Sequence, residues 1–558
     1  MLSYRKLAMR VLGRPLHTGG GIDSPRPASQ RAAALILTAA LLTTLAAPAF
    51  AETWYIENGD ITVKAGESGN DVTQNNVTTK NDTNTIITNQ KTDKASSNTV
   101  TIEANGKNDK VEVTLKDVNI DTSSRNNAAV SVTGSGNTTI KLDGDNHLTG
   151  GISDNGSYGL SGISSSGSLT ISGGETDSLT AQGGSGTDGS GGRGIFSKDL
   201  TISGGTVNAN GGDGKNGSGG SGITSLGSLT ISGGTVNAAG GDGTNSSDGG
   251  DGITNNRGVT ISSGGTVTAK GGSGEDGSGG RGISSFGGVT ISSGGTVTAT
   301  GGNSTGSDGS GGDGISSTST AISGGTVTAD GGSGNFSGGN GIRSFDVAIS
   351  GGTVNVAGGN GGNGSGSDVG NGIYSSDIDL SGSLELTAKA GSPNGKALSQ
   401  NGRELDPNTF KDKLDPGAKV TAINANGDSK QVSIPRPVEP EESSSSSGGG
   451  SAAPSAPASS LPGLTVTDKD GQRISYTSTQ SGNTLTVCVG RFTASLRISL
   501  ATLRQLRAEG IDTITFQTIL CSTTLSVDEL LAMGGEDAEV VLTHHIRSST
   551  LTVGGKAV

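Results

Sequence analysis

The sequence predicts an all-β protein that folds as a right-handed parallel β-helix, a solenoid with about 30 residues per coil, followed by a small C-terminal α+β domain. Two observations lead to this prediction. A unit of four parts occurs eight times between Gly162 and Ala388: Gly-Ile-x-Ser, Leu-Thr-Ile-Ser-Gly-Gly, Thr-Val-Asn-Ala and a glycine-rich loop. In the first three parts, apolar and polar residues alternate with the two-residue period of a β-strand.

The repeat keeps a nearly constant period. The central residues of the second part lie 27 to 31 residues apart, and a fixed period of this length indicates stacked coils. A single unit holds too few apolar side chains to fold alone, so each strand must pair with its copy in the next coil. An antiparallel sandwich or a disordered chain would not preserve this register. The aligned residues are Thr170, Thr201, Thr230, Thr260, Thr290, Ala321, Ala348 and Asp379.

One coil illustrates the expected orientation of the side chains. Leu229 and Ile231 should face the interior, and Thr230 should face solvent, because successive residues of a strand point to opposite sides. The pair Gly233-Gly234 follows at a turn, where glycine adopts a positive φ without a steric penalty. Each coil therefore consists of three short strands joined by turns.

Residues 1–51 are predicted to be a signal peptide. Arg26 and Arg31 precede an apolar run, and Ala49-Phe50-Ala51 has the small-residue pattern of a signal-peptidase site. The alternative is an uncleaved membrane anchor. We expect a protein that is secreted or held at the surface of a bacterium, with no transmembrane segment after cleavage.

The charge is acidic. The formal net charge is −13, and without residues 1–51 it becomes −18, from 32 basic and 50 acidic residues. This balance disfavours nucleic acid as a partner and favours hard cations.

Four regions are predicted to follow the signal peptide. Residues 52–161 should form an N-terminal cap and divergent coils, with Trp54 covering the open end of the core. Residues 162–435 are the glycine-rich repeat β-helix, and residues 436–463 are a disordered linker rich in proline, serine and glycine. Residues 464–558 are the small α+β domain, with strands predicted at 474–478, 485–489, 513–517, 539–543 and 550–553 and helices at 500–509 and after Ser526.

The two cysteines, Cys488 and Cys521, both lie in this last region. In an exported protein, either one disulfide or two buried thiols is consistent with this count. A zinc site is disfavoured because too few further ligands occur nearby.

Aspartates recur in the glycine-rich loops, which suggests calcium because this ion prefers carboxylate and carbonyl oxygen. The loops 183–188 and 271–276 match the first half of a known calcium-binding repeat but lack its nine-residue period. The alternative is that these residues are solvated turn aspartates. The candidate calcium ligands are Asp188, Asp213, Asp242, Asp248, Asp251, Asp276, Asp308 and Asp313, and Asp368 belongs to the same series.

The strands Val111–Ile120, Ala129–Val132 and Thr139–Leu142, followed by the Leu-Thr-Ile-Ser-Gly-Gly-Thr-Val units, resemble a family of carbohydrate-binding parallel β-helix proteins secreted by clostridia and related gut bacteria. The resemblance covers about half of the chain. It implies a calcium-binding protein of the cell surface that attaches to plant polysaccharides, including acidic ones. The C-terminal region resembles an uncharacterised module found beside such helices. The long glycine-rich loops depart from the family pattern, so no individual ligand residue is carried over.

These observations favour a noncatalytic carbohydrate-binding or adhesin-like protein, assisted by calcium, whose partner is a polysaccharide or a host or cell-surface glycan. A structural spacer is the first alternative, and a polysaccharide lyase or glycoside hydrolase is the second. An enzyme needs an unrepeated set of catalytic groups. Arg193 and Arg281 instead occupy equivalent positions in different coils, so we expect no enzymatic activity.

Overall fold

The structure is a computed structural model of the chain. It describes residues 52–436 except 155, 246, 263, 293 and 363–369, and the stretches 463–468, 472–474, 476–481, 483–489, 491, 493–518, 522–533, 538–544, 549–554 and 556–557. The predicted signal peptide and residues 437–462 of the predicted linker lie outside the described residues. The chain divides into two compact units between Glu439 and Pro440. In the part that is described, no helix is long and apolar enough to cross a membrane.

The first unit is a β-solenoid of about 14 turns, which confirms the prediction of an all-β parallel β-helix. Each repeat coil places one strand in each of three parallel sheets. The predicted register is also confirmed, because Thr170 pairs with Thr201, Thr201 with Thr230, and so on through Ala348 and Asp379. The aligned residues of successive coils are therefore direct neighbours in sheet 2.

The three sheets are named here in the order in which a repeat coil enters them. Sheet 1 contains Ile61–Ala65, Val100–Ala104, Val130–Gly134, Ile163–Ser165, Ile195–Ser197, Ile223–Ser225, Ile253–Asn255 and Leu398–Gln400. Sheet 2 contains Thr53–Tyr55, Thr85–Thr88, Lys110–Lys116, Asn137–Asp143, Ser168–Ser172, Asp199–Ile202, Ser228–Ile231 and Gly258–Ile261. Sheet 3 contains Asn119–Asp121, Asp145–Thr149, Ser178–Gln182, Thr206–Asn210, Thr235–Ala239, Thr266–Lys270, Thr296–Thr300, Glu385–Lys389 and Lys419–Ile423. Four longer strands bend through the corners and join more than one sheet: Ile283–Ile291, Ile315–Asp330, Ile342–Ala357 and Ile373–Leu380.

Both ends of the solenoid depart from the three-strand pattern. At the N-terminal end, Asn70–Gln74 and Val77–Asp82 are antiparallel strands that the sequence pattern did not predict. Trp54 is buried there, and its Nε1 donates a hydrogen bond to Asp82 Oδ2 at 3.0 Å. Strands Arg403–Glu404 and Ser429–Ser433 are antiparallel at the other end. The short 3₁₀ helices are Ile56–Asn58 and Pro407–Lys413.

The core consists of columns of aliphatic side chains that run along the stack. Leu229 and Ile231 are fully buried, as predicted, while Thr230 lies half-buried on the outer side of sheet 2. Burying each such aliphatic side chain contributes about 1.5–3 kcal/mol. The turn glycines behave as predicted in six of the Gly-Gly pairs, where one glycine has a positive φ, for example Gly205 at 78° and Gly234 at 75°.

The glycine-rich loops stack in register along the solenoid, like the three sheets, and form a fourth layer. Each loop leaves and returns through a Gly-Gly pair, and the two arms alternate in one continuous hydrogen-bonded ladder. Gly212 N donates to Gly192 O at 2.8 Å, Gly220 N to Gly212 O at 2.8 Å, and Gly241 N to Gly220 O at 2.9 Å. The same zigzag continues coil by coil to Gly359.

The close approach of these arms requires glycine. A Cβ atom at Gly220 would lie 1.9 Å from the carbonyl oxygen of Gly192, and one at Gly219 would lie 1.8 Å from that of Gly241. No Cβ atom tolerates such distances, so any side chain would push neighbouring coils apart. The abundance of glycine therefore reflects backbone packing in these arms and positive φ at the turns.

The corner between sheet 1 and sheet 2 is held by a buried polar column. In the repeat coils, the sheet 1 strands from Ile163–Ser165 to Ile253–Asn255 each end on a serine or asparagine that points inward. Ser197, Ser225, Asn255 and Ser375 are completely buried. Ser225 Oγ donates to the carbonyl oxygens of Lys198 and Ser228 at 3.2 and 3.1 Å. The column thereby saturates the backbone of the corner, as buried polar groups require.

The second unit has two sheets and two short helices. One sheet contains Leu464–Thr467, Ala494–Ser499, Glu539–His544, Ser549–Val553 and Lys556–Ala557, and the other contains Thr477–Ser481, Thr484–Cys488, Thr513–Gln517 and Ser522–Ser526. The helices are Leu500–Ala508 and Val527–Met533, and the Ser499 side chain accepts a hydrogen bond from Thr502 N at the start of the first. The predicted strands 485–489, 513–517, 539–543 and 550–553 and both predicted helices lie close to observed elements. The predicted strand 474–478 is displaced to Thr477–Ser481, and Leu464–Thr467, Ala494–Ser499, Ser522–Ser526 and Lys556–Ala557 were not predicted. The α+β class of the region stays a prediction.

The glycine ladder makes a testable prediction about stability. Gly220→Ala should lower the free energy of unfolding by about 1–3 kcal/mol, the usual cost of overpacking, because its Cβ collides with the preceding coil. Gly258→Ala is the matched control, since the nearest atom to a Cβ there is 3.5 Å away, and its effect should stay within about 0.5 kcal/mol. Urea unfolding followed by circular dichroism measures both. Equal effects of the two substitutions would contradict the steric role of the ladder.

Candidate functional site

A polar groove lies between the returning arms of the glycine-rich loops and sheet 1. Five consecutive coils line it, and its volume is about 710 Å³. At a strand spacing of about 4.8 Å, five coils extend over roughly 20 Å along the stack. Its serines are Ser218, Ser221, Ser278, Ser310 and Ser337, and its other side chains are Asp248, Asp251, Arg281, Asp313, Phe336, Asn340 and Arg343.

Arg281 occupies the centre of this groove, in the column of residues that precedes each Gly-Ile pair. One coil before it lies Asp251, whose Oδ1 accepts a hydrogen bond from Arg281 N at 2.7 Å and whose Oδ2 accepts one from the Thr254 hydroxyl at 3.0 Å. One coil after it lies Asp313, whose Oδ2 is 3.8 Å from Arg281 Nε. The groove thus contains an acidic, a basic and an acidic side chain in three successive coils.

The aspartates of this column link one coil to the next. Asp313 Oδ1 accepts hydrogen bonds from the backbone N and the Nδ2 of Asn340 at 2.8 and 2.9 Å. Asparagines in the same column make the equivalent bonds: Asn340 Oδ1 accepts from Asn371 N, and Asn371 Oδ1 accepts from Lys396 N. Because the asparagine side chains accept the same hydrogen bonds, the negative charge of the aspartate is not required for this contact.

Two further columns of predicted calcium ligands follow the same rule. Asp213 Oδ1 accepts from Asp242 N at 2.9 Å, Asp242 Oδ1 from Ser273 N at 2.7 Å, and Asp248 Oδ1 from Ser278 N at 2.7 Å. Asn303 and Asn360 occupy the column of Asp213 and Asp242 in later coils and bond to the next coil in the same way. Five of the predicted ligands are therefore coil-to-coil linkers.

The remaining predicted ligands, Asp188, Asp276 and Asp308, are exposed at the loop tips, and Asp368 lies outside the described residues. Of the eight candidates, the groove brings together Asp248, Asp251 and Asp313. Across the described ranges, no three histidine, cysteine, aspartate or glutamate side chains converge on a point where a metal ion could bind. Calcium binding therefore stays a prediction.

The outer face of sheet 3 carries polar ladders in register. Thr206, Thr235, Thr266 and Thr296 pair in order along the sheet. Two residues further along each strand, Asn237 Nδ2 donates to Asn208 Oδ1 at 2.8 Å. This amide bond links two successive coils, which gives these asparagines a structural use.

Exposed aromatic side chains are the feature that the sequence patterns missed. Phe286, Phe336 and Phe345 are 72%, 50% and 66% exposed, although the whole chain contains only eight phenylalanines. Phe336 lies in the groove and the other two lie at the corner between sheets 1 and 2. These phenylalanines were visible in the sequence as apolar residues in a polar repeat. That Phe286 and Phe345 lie at the same corner follows only from the register.

In the second unit, the strand Glu539–His544 ends on a fully buried histidine. His544 Nε2 lies 2.9 Å from Thr523 Oγ1, its Nδ1 lies 3.3 Å from Thr518 Oγ1, and its ring centroid is 4.8 Å from that of Phe516. Burial lowers the pKa of His544 below its usual value. Cys488 is half-buried, and Cys521 lies outside the described residues, so their disulfide stays a prediction.

Comparison of the chain with known protein families, with curated proteins and with solved structures finds no match. The resemblance described above therefore stays an expectation, and function has to be argued from the geometry alone.

The role of Asp251 can be tested by two substitutions. Asp251→Asn should leave stability at neutral pH unchanged or higher, because an amide oxygen can still accept from Arg281 N, whereas Asp251→Ala should cost about 1 kcal/mol for the lost hydrogen bond. Chemical unfolding of the full chain measures both. A calcium-dependent loss of stability in Asp251→Asn would show instead that the carboxylate binds metal.

Asp251 should also make the free energy of unfolding depend on pH, in a direction that follows from its burial. Burial raises the pKa of Asp251 despite the hydrogen bond from Arg281 N, so between about pH 3.9 and the raised pKa the folded chain binds more protons than the unfolded chain. The contribution of Asp251 to the free energy of unfolding must therefore fall as the pH rises through that window. The difference between the parent chain and Asp251→Asn, measured across this range, should show this slope, and a slope of the opposite sign would contradict the burial.

His544 should make the free energy of unfolding depend on pH in the opposite direction. Its folded-state pKa lies below the unfolded value near 6.5, so its unit should lose stability as the pH falls from about 6.5 through the lowered pKa. Amide hydrogen exchange in the strand Glu539–His544, corrected for the intrinsic rate, measures this loss. His544→Gln should remove it, and the exposed solenoid histidine in His147→Gln should leave it unchanged.

Proposed function

We propose that the chain is an exported, noncatalytic carbohydrate-binding or adhesin-like protein whose groove holds a segment of polysaccharide. The groove carries this proposal because it is long, polar and continuous across five coils. Sugar hydroxyls both donate and accept hydrogen bonds, and the groove offers serine hydroxyls, carboxylates, an amide and guanidinium groups for both roles. Its one exposed aromatic ring, Phe336, adds an apolar contact surface.

The groove is built on a rigid frame, which favours binding of a flexible chain. Its serines and aspartates stand on glycine arms whose backbone groups are hydrogen-bonded to the coils on both sides. A preorganised site loses little conformational entropy when the ligand binds. Repeated weak contacts along several coils then add up when one polymer engages many of them at once.

The carboxylates of the groove support a noncatalytic role. A glycoside hydrolase needs one carboxyl group as acid and another as base or nucleophile. Asp251 accepts hydrogen bonds from Arg281 N and Thr254, and Asp313 accepts two from Asn340. Both therefore hold neighbouring coils together, and asparagine replaces them elsewhere in the same column.

The proposal keeps several expectations from the sequence. It includes export by the signal peptide, right-handed winding of the coils, a C-terminal α+β domain and membership of the clostridial carbohydrate-binding family. Calcium would strengthen binding through exposed carboxylates of the loops, such as those of Asp276 and Asp308. The alternative is a purely structural surface spacer.

Affinity electrophoresis of the full chain through gels that contain single soluble polysaccharides tests the proposal. Retardation by at least one polysaccharide is expected, with and without a calcium chelator to measure any role of the metal. The double substitution Arg281→Ala and Phe336→Ala should weaken the interaction about tenfold or more, equivalent to roughly 1.4 kcal/mol.

Two exposed residues away from the groove provide the control. Lys270→Ala on sheet 3 and Val77→Ala near the N-terminal end should migrate like the parent chain, since both side chains are exposed outside the groove. Folding of every variant is checked by circular dichroism. If no plant or host polysaccharide retards the parent chain, the spacer becomes the better explanation.

A further inference from the structure

We propose that the corner between sheet 1 and sheet 2 is a self-association surface, through which two copies of this chain pair with their solenoids antiparallel. The corner strip is defined by Lys198, Leu226, Arg257, Phe286 and Phe345. It lies at the opposite end of the sheet 1 strands from the groove. The inference does not rest on glycan binding, because it uses none of the residues that line the groove.

The apolar side chains of the corner strip are arranged symmetrically along the solenoid. Leu226, Phe286 and Phe345 are 44%, 72% and 66% exposed and stand in every second coil. Phe286 is in the middle, so the other two lie at equal distances on either side of it. The strand register places one corner residue in each of seven successive coils: Lys198, Leu226, Asn256, Phe286, Thr318, Phe345 and Ser376.

A two-fold axis at Phe286, perpendicular to the solenoid axis, matches these side chains with one another. A dimer of this symmetry uses the same patch on both copies. Two antiparallel copies then bring Phe286 against its own counterpart and Leu226 against Phe345 of the partner copy. The position of the axis is specific. Moving it half a coil toward the C-terminal end would place the three apolar side chains against Ser376, Thr318 and Asn256.

A basin at the N-terminal end of the strip provides a place for the ring of Phe345 from the partner copy. Its volume is about 620 Å³, and its apolar side chains are Phe196 and Leu226. The antiparallel arrangement sets Phe345 of the partner copy opposite Leu226, and therefore over this basin. The ring of Phe196 then offers an aromatic contact in addition to apolar burial. Asp199 also lines the basin, but its Oδ1 accepts hydrogen bonds from the N and Oγ of Ser228.

The charges along the strip favour the antiparallel arrangement over the parallel one. The N-terminal half carries the basic residues Lys198 and Arg257, whereas Asp346 and Asp377 follow the corner in the C-terminal half, and all four side chains are exposed. Two parallel copies would set each charge against its own counterpart, which is unfavourable. Two antiparallel copies set Lys198 opposite Asp377, and bring Arg257 within one coil of Asp346.

These four charges are available for pairing between copies. Within the described ranges, none of them lies within salt-bridge distance of an oppositely charged group. The one hydrogen bond to such a carboxylate is that from Gln400 Nε2 to Asp377 Oδ1, at 3.4 Å. Because the axis relates the two copies, each pair between them would form twice.

The dimensions of the strip predict a reversible dimer. Seven coils extend over roughly 29 Å, six times the strand spacing. The strip is only one corner wide, so it buries less than the about 800 Å² per partner of a stable dimer. We therefore expect a Kd in the micromolar range or weaker.

Sedimentation equilibrium of the full chain, at concentrations from about 1 to 200 μM, covers that range of Kd. The parent chain should pass from monomer to dimer and form no larger species, since a two-fold contact closes on itself. Phe286→Ser with Phe345→Ser should weaken the dimer at least tenfold, because each substitution removes an apolar contact from both halves of the interface.

Charge reversal tests the antiparallel register. Arg257→Asp and Asp346→Arg should each weaken the dimer about tenfold, because each places like charges together twice. The two reversals combined should return the Kd to within about threefold of the parent value. In one chain these residues stand three coils apart, roughly 14 Å, so the rescue has to come from a contact between copies.

Matched controls change the same kinds of side chain elsewhere. Tyr158→Ser removes an exposed aromatic ring and Lys270→Asp reverses an exposed cation, both outside the strip, and neither should change the Kd. Circular dichroism checks the folding of every variant.

A parent chain that stays monomeric over the whole concentration range would overturn the inference, and so would a dimer that the phenylalanine variant leaves unchanged. Charge reversals that do not rescue each other would overturn the antiparallel register. None of these measurements involves a glycan. If the chain is monomeric but polysaccharides still retard it through Arg281 and Phe336, the inference fails and the proposed function stands. A dimer that no polysaccharide retards would support the inference and remove the proposed function.

Discussion

The parallel register between successive coils is the constraint on which the rest of the structure depends. Three sheets and the glycine arms all repeat it, so each residue meets its counterpart in the next coil. The register holds because apolar columns such as the one through Ile231 are fully buried and because the glycine arms touch at distances that no Cβ atom allows. A parallel stack of this kind is stable only as a whole, since each coil buries its interior against its neighbours.

Because of this register, equivalent residues of successive coils form columns along the solenoid. Most of these columns hold neighbouring coils together. The recurrent aspartates show this: Asp213, Asp242 and Asp248 bind the backbone of the following coil, and asparagine takes the same role at Asn303 and Asn360. The regular spacing that suggested a metal site is explained by this structural use. A column that contains an unusual residue is therefore where a role other than holding the coils together should be sought.

Two surfaces beside sheet 1 contain such departures. In the groove, Arg281 interrupts a column of small polar and acidic residues and lies between Asp251 and Asp313. At the corner between sheets 1 and 2, Leu226, Phe286 and Phe345 are exposed. The groove offers hydrogen bonds from many small groups, whereas the corner exposes apolar side chains. Both surfaces run along the stack of coils.

The sequence by itself determined the three-strand repeat, the inward Leu229 and Ile231 and the residue-by-residue register from Thr170 to Asp379, because alternation and period are local properties of the chain. It did not reveal the antiparallel strands Asn70–Gln74 and Val77–Asp82, whose residues are largely polar. It also could not show that Asp251 caps the next coil, or that Leu226, Phe286 and Phe345 share one corner. Those facts depend on contacts between residues about 30 or 60 positions apart, and only the stacking of coils brings such residues together.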